Sequence, residues 1–349
     1  MAHTWRSVLF GVDGWKHYLK AGYEAKAKHF DNAALSRDLS HVHVMVTGAN
    51  QGIGYATCKQ MATQKAHVYM VCRSRERGEA ALAKLEAEVG GDGDDNIELH
   101  VCDISSMAAV KALADSYVSG GKPLHCLVNN AGCMVHERTQ TPEGIEANFA
   151  TNTLGTWALT EGLLPALHKT AGSKVVSVAS AGMLTELLEL KDMEMKNGKF
   201  DGTVQYAKNK RHQVALTQRW ARLHGSGAAD AAKAGAGGGG EGSEAGVGFY
   251  SMHPGWSDTE AVKTALPGFY ASLKARLRSP AEGADTVAWL CAVPRSQLKE
   301  GGFYLDRQTV PVHVSTGYFT GTQYTEAEVD QLAAALKERF ESVTAAVAK

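Results

Sequence analysis

The chain is 349 residues long and carries 36 lysines and arginines against 37 aspartates and glutamates, a formal net charge of −1. That balance excludes a nucleic-acid binder working through bulk positive charge, and 44% hydrophobic with 21% charged residues excludes a disordered chain. No apolar run reaches the roughly 18 residues of a spanning helix; the longest, Leu154 to Leu167, is interrupted by Glu161 and Pro165.

Residues 1–39 place Trp5, Leu9, Val12, Trp15, Leu19 and Tyr23 at spacings of three and four, with Arg6, Lys16, His17, Lys20, Lys26 and Lys28 between them. This predicts an amphipathic helical extension with a basic side. Three readings stay open: a helix docked on the body of the protein, a membrane-surface helix using residues 1–30, or a targeting peptide, for which Asp13 and Glu24 are unusual. From about residue 42, short apolar runs at 43–46, 67–72, 97–102, 126–128, 174–178 and 247–250 alternate with helix-length segments such as 80–89. Strands separated by helices imply right-handed crossovers and a doubly wound parallel sheet, an α/β Rossmann fold spanning 40–312 as a single domain. Residues 225–246 are almost wholly Gly, Ala and Ser and read as a flexible surface insertion. Residues 313–349 form a C-terminal segment in which Val329, Leu332, Leu336, Phe340 and Val343 predict a packed helix over 325–346.

The first strand runs into Thr47-Gly48-Ala49-Asn50-Gln51-Gly52-Ile53-Gly54 and then into a helix. Glycines at such a corner permit a tight turn and close approach of a pyrophosphate, held by N–H groups at the helix N-terminus. At the end of the second strand, where a carboxylate would bind a free ribose 2′-hydroxyl, stand Cys72 and Arg73. A guanidinium there can bind a 2′-phosphate bidentately, which favours NADP(H) over NAD(H); Arg75 and Arg77 read as solvated. Asp103, with Ile104, closes the third strand where the adenine would lie. Asn130, Ala131 and Gly132 end the fourth, small enough for backbone to pass the adenine ribose.

The six cysteines (Cys58, Cys72, Cys102, Cys126, Cys133 and Cys291) contain no C-x-x-C pair and read as buried free thiols of a reducing, most simply cytoplasmic, compartment. His41 and His43 lack a third ligand, so no metal is expected. No H-E-x-x-H and no G-x-S-x-G occurs. Tyr206 and Lys210 are four apart and share a helix face. An ammonium about 4 Å from a phenol, at an effective dielectric of about 20, would favour the phenolate by about 4 kcal/mol, enough to bring the phenol into range for general acid–base work.

Taken together, the glycine loop, Asn129-Asn-Ala-Gly-Cys-Met134, Tyr206-x-x-x-Lys210 and Ser251-Met-His-Pro-Gly-Trp256 resemble the short-chain dehydrogenase/reductase family, in its retinol-dehydrogenase-like branch. Tyr18-Leu-Lys-Ala-Gly-Tyr23, Phe200-Asp-Gly-Thr203, Arg278-Ser279 and Gly283-Ala-Asp-Thr286 extend the resemblance over nearly the whole chain, the 225–246 insertion apart. The resemblance implies roles by position. Ser180 would hydrogen-bond the substrate oxygen, Tyr206 would exchange the proton, and Lys210 would tune the phenol and hold the nicotinamide ribose. Asn152 would anchor a proton-relaying water, and Pro254, Gly255 and Thr259 would wrap the nicotinamide carboxamide. The implied activity is NAD(P)-dependent oxidoreduction of a small-molecule carbonyl or alcohol. A lipophilic substrate is expected from Met183, Leu184, Leu187, Leu188, Leu266, Phe269 and Tyr270, and a homo-oligomer from the pairing of relatives through helices flanking the site. The rival expectation is an NADP(H)-binding scaffold or sensor whose catalysis is vestigial.

Overall fold

A computed structural model describes residues 2–90, 96–227, 246–314 and 321–347; most of the 225–246 insertion therefore lies outside the described residues. Among the described residues, eight strands form one sheet in the order β3-β2-β1-β4-β5-β6-β7-β8. They are β1 His43–Thr47, β2 His67–Cys72, β3 Ile97–Val101, β4 Cys126–Asn129, β5 Lys174–Val178, β6 Gly248–Met252, β7 Phe303–Leu305 and β8 Gln308–Thr309. All neighbours run parallel except the β7–β8 hairpin. The order reverses between β1 and β4, the switch point outside whose carboxyl ends such sheets bind ligands.

Alternation along the strands sorts the core into two layers. Val44, Val46, Val68, Met70, Val128 and Val176 face one side, where α3 (Gly52–Thr63), α4 (Arg75–Val89) and α11 (Pro280–Ala292) pack. Met45, Val71, Leu127 and Val175 face the other, against α5 (Met107–Ser119), α7 (Thr156–Lys169), α8 (Gly202–His224) and the C-terminal α12 (Glu326–Val347). With both faces covered, the central strands bury nearly every side chain, which is why they read as continuous apolar runs. β7 and β8 escaped sequence reading because three and two residues carry too little pattern.

The N-terminal extension is two helices, α1 (Ala2–His17) and α2 (Lys20–Ala27). Its docked side is not the Trp5–Leu9–Val12–Trp15 stripe, which is exposed, but Phe10, Gly14 and Tyr18. Gly14 decides the matter: a Cβ there would enter the Trp256 indole, so only glycine lets α1 lie this close. The Arg6 Nε donates to the Thr185 carbonyl (2.7 Å), tying α1 to the short turn Ala181–Thr185 that follows β5.

Candidate active site

At the switch point the glycine loop is a built cradle. Gly48 and Gly52 have φ of 65° and 58°, a region that L side chains adopt at a cost. A Cβ on Gly48 would lie 3.0 Å from Ala131 Cα, and one on Gly54 would enter the Gly48 carbonyl and the Asn130 amide. Thr47 and Asn130 rivet the loop: the Thr47 hydroxyl accepts from the Asn130 and Ala131 N–H groups (3.0 and 2.9 Å), and the Asn130 amide donates to the Thr47 carbonyl (2.8 Å). Asn130 thus shapes the cradle. Asn50, Gln51, Gly52 and Ile53 lead into α3, whose N-cap residue Gln51 makes no side-chain cap hydrogen bond to the first helical N–H groups. Gly48 N–H donates to the Val71 carbonyl (2.9 Å), which sets the end of β2 beside the loop. Two residues on, Arg73 is exposed, and among the described residues its guanidinium makes no hydrogen bond or ion pair. The Asp103 carboxylate accepts from the Ser105 N–H and hydroxyl (2.9 and 2.7 Å) at the end of β3, and Ile104 is buried with its carbonyl against Gly155. A narrow, glycine-lined floor with an open cation at its rim fits a dinucleotide.

Ser180 follows β5, and Tyr206 and Lys210 occupy successive turns of α8, a helix capped by the Asp201 carboxylate, which accepts from the Thr203 and Val204 N–H groups (2.9 and 3.1 Å). Lys210 Nζ donates to the Val178 carbonyl (2.8 Å) and to Gln213 Oε1 (3.0 Å), which locks α8 onto the end of β5. The Ser180 hydroxyl accepts from the Gly182 N–H (3.2 Å) and lies near enough to the Tyr206 phenol to favour its ionised form. Asn152 sits in a π-turn, Ala150–Gly155, inside the helix leading to α7, a distortion common at functional positions. It braces the chain after β4: its Oδ1 accepts from the Cys133 N–H (2.9 Å) and its amide donates to the Cys133 carbonyl (2.8 Å). A Cβ on Gly132 would be 3.1 Å from Asn152 Oδ1 and 3.5 Å from Lys210 Nζ, so these groups share one corner.

The electrostatics differ from the sequence expectation. Burial pushes the Tyr206 phenol up to about 12, only partly opposed by the nearby Ser180 hydroxyl, and lowers the Lys210 amine to about 8. The ammonium stands 5.4 Å from the phenol ring centroid with two oxygens already accepting from it, so it does not overcome desolvation. The protein's own groups therefore hold a protonated phenol over a lysine of softened charge.

After β6, Pro254 and Gly255 lie against Arg278 and the end of the N-terminal extension. Buried Arg278 pairs with Asp306 (2.6 and 3.0 Å) and donates to the Tyr18 carbonyl (3.0 Å), the His17 carbonyl (2.7 Å) and the Pro254 carbonyl (3.5 Å). A Cβ on Gly255 would enter that guanidinium. Thr259 caps α9 (Glu260–Ala265), accepting from the Val262 N–H (3.2 Å), and its methyl faces Gly52 across the cleft. The His136 imidazole hydrogen-bonds the Ala265 carbonyl (2.5 Å), bridging the two walls. Of the apolar residues expected along the cleft, Met183 is fully buried beside Val214 and Phe303 and Leu188 packs on the main core; both belong to the scaffold because the turn after β5 folds them inward. Leu187 is exposed, and Phe269 stacks edge-on against Trp256. Sequence reading missed Gln213, three residues past Lys210 on the same face, and Arg278, whose partners lie 28 and 260 residues away and leave no local signal.

A dinucleotide cradle set beside a Ser–Tyr–Lys cluster at the carboxyl edge of a parallel sheet defines the class: an NAD(P)-dependent dehydrogenase/reductase acting on CH–OH and C=O groups. The short chain dehydrogenase family profile matches residues 42–188. The chain is 39% identical over 337 residues to dehydrogenase/reductase SDR family member 12 of Bos taurus, covering 96% of this chain and 99% of the relative. It is 29% identical over 267 residues to human retinol dehydrogenase 11, covering 75% and 76%. A solved short chain dehydrogenase from Burkholderia cenocepacia, in complex with NADP, superposes with a TM-score of 0.55 at 22% identity, covering 77% of this chain and 96% of that one. The chain belongs to the short-chain dehydrogenase/reductase family.

Proposed function

We propose that the protein is an NADP(H)-dependent reductase of a lipophilic carbonyl compound. The observation that carries the reading is the Ser180–Tyr206–Lys210 cluster, gathered at the end of β5 with the Lys210 ammonium 5.4 Å from the Tyr206 ring centroid. When bound, the nicotinamide supplies hydride to the carbonyl carbon. Ser180 donates a hydrogen bond to the substrate oxygen, a small oxyanion-type stabilisation. Tyr206 gives its proton to that oxygen as it becomes an alkoxide, a base strong enough to take the proton even from a phenol whose pKa burial has raised. Lys210 holds the ribose and, through the Asn152 corner, resupplies the proton. Arg73 takes the 2′-phosphate, supported by Cys72 standing where a carboxylate would repel it. Pro254, Gly255 and Thr259 form the far rim over the carboxamide. The names of the retinol dehydrogenase and polyprenol dehydrogenase relatives support a lipophilic substrate. Buried free thiols support a reducing compartment.

The test is NADPH oxidation by the purified protein against a panel of retinoid, steroid and lipid carbonyls. Tyr206→Phe is expected to lower kcat by about 10³-fold while NADPH binding, followed by fluorescence, stays within about twofold. Turnover that survives the substitution overturns the assignment. Wild-type protein that binds NADPH and turns over no member of the panel favours the scaffold reading.

A further inference from the structure

The largest concentration of exposed apolar side chains among the described residues is on α1. Trp5 is 53% exposed, Val8 50%, Val12 66% and Trp15 55%, with Leu9 at 39% beside them. Spacings of three, four and three put the first four on one stripe of the helix, about 15 Å from the first tryptophan to the last. The opposite side, Phe10, Gly14 and Tyr18, is packed on Trp256, Ala181 and Leu184. The stripe is thus on the side of α1 turned away from the packed face, and an exposed apolar patch of this kind marks an interaction site.

We infer that α1 is a bilayer-docking helix, which lies in the interface of an anionic membrane and seats the mouth of the active site against it. Three observations select this occupant over a second copy of the chain. First, the ridge is small: about half of two tryptophan and three aliphatic side chains offers on the order of 500 Å², short of the roughly 800 Å² per partner that a stable protein interface buries. Second, a tryptophan stands at each end of a convex ridge, the arrangement suited to the headgroup level of a bilayer. Third, the shore is basic. Residues 1–30 contain Arg6, Lys16, Lys20, Lys26 and Lys28 against Asp13 and Glu24. Asp13 accepts from the Tyr18 hydroxyl (2.5 Å) and Glu24 pairs with Lys20 (3.8 Å). Exposed Lys16 neighbours Trp15 on the helix, and the Arg276 guanidinium lies over the Trp15 ring at 5.5 Å. No described helix is long and apolar enough to cross a membrane, so the contact is with the surface.

The placement has a consequence that rests on the redox reading above. The helix is tied by Arg6 to the Thr185 carbonyl, five residues past Ser180, and exposed Leu187 follows on the same segment. A bilayer under α1 therefore delivers a membrane-borne carbonyl to the open end of β5 without transit through water.

Vesicle flotation of the full chain with phosphatidylcholine containing about one-third phosphatidylserine tests the inference, comparing wild type with Val12→Glu/Trp15→Glu. Wild type is expected to float, with vesicle affinity reduced at least about tenfold in the double variant and by pure phosphatidylcholine. NADPH oxidation with a water-soluble carbonyl and the circular dichroism spectrum should be the same for both proteins. Equal flotation of the two proteins, or none by wild type, overturns the inference. So does a wild-type dimer in gel filtration that the substitutions convert to monomer. Flotation lost in the variant while neither protein oxidises NADPH leaves the docking helix standing and removes the redox reading; turnover without flotation does the reverse.

Discussion

Lys210 shows how little of a site's chemistry a spacing contains. Its distance in sequence from Tyr206 sets the shared face, but its charge is shaped by the Val178 carbonyl and Gln213, and by burial that lowers it to about 8. Arg73 is the opposite case: exposed and without a described partner, its role depends on what it meets. Charge-assisted bidentate hydrogen bonds to a phosphate are worth about 1.5–3 kcal/mol. Arg73→Asp is therefore expected to raise KM for NADPH by about 10- to 100-fold and to improve use of NADH, read from initial rates with each cofactor. Unchanged preference would remove Arg73 from the cofactor site.

At the scale of elements, the docking of α1 is set by glycine on its inner face. Gly14→Ala drives a methyl into the Trp256 indole, and overpacking of this kind costs about 1–3 kcal/mol. The cost falls on the helix, so trypsin should cut at Lys16 several-fold faster while the main thermal transition barely moves. Gly11 is the control: a Cβ there meets nothing within 4 Å, and Gly11→Ala should slow cleavage, since alanine favours helix by up to about 1 kcal/mol. Equal cleavage of both variants would show that contact with Trp256 does not hold the helix. Behind that contact, Arg278 and Asp306 join the extension to the Pro254 turn, so the end of α1 and that turn share one support.

Across the whole molecule, histidines set the acid limit. Burial holds His212 at about 4, its ring hydrogen-bonded to the Glu189 carbonyl (2.8 Å), and holds His253 at about 3. At the amino ends of β1, β2 and β4, His43 stacks on His67 and His125, and burial together with those rings lowers it to about 4. His212, His253 and His43 are neutral in the fold at neutral pH and take up their protons more readily when unfolded. The unfolded state therefore binds more protons between pH about 6.5 and 4, and stability falls as pH drops through that window. A site moved from 6.5 to about 4 loses about 2 kcal/mol by pH 5, so urea midpoints should fall markedly between pH 7 and 5. His212→Gln should flatten that dependence. A midpoint independent of pH over this range would contradict the buried neutral imidazoles.

The amino-acid sequence alone determined the parallel α/β architecture, because strands covered on both faces must be apolar throughout, and it located the glycine cradle and the Tyr206–Lys210 face, because both are local patterns of backbone and helix geometry. It left open which side of α1 docks, since both sides carry apolar residues and only the close approach to Trp256 distinguishes them. Tertiary structure likewise decided that Met183 and Leu188 belong to the scaffold. It also decided that Arg278 gathers segments from both ends of the chain and that desolvation outweighs the Lys210 charge at the Tyr206 phenol. Each of these depends on which distant groups share a small volume, and a one-dimensional pattern carries no record of that.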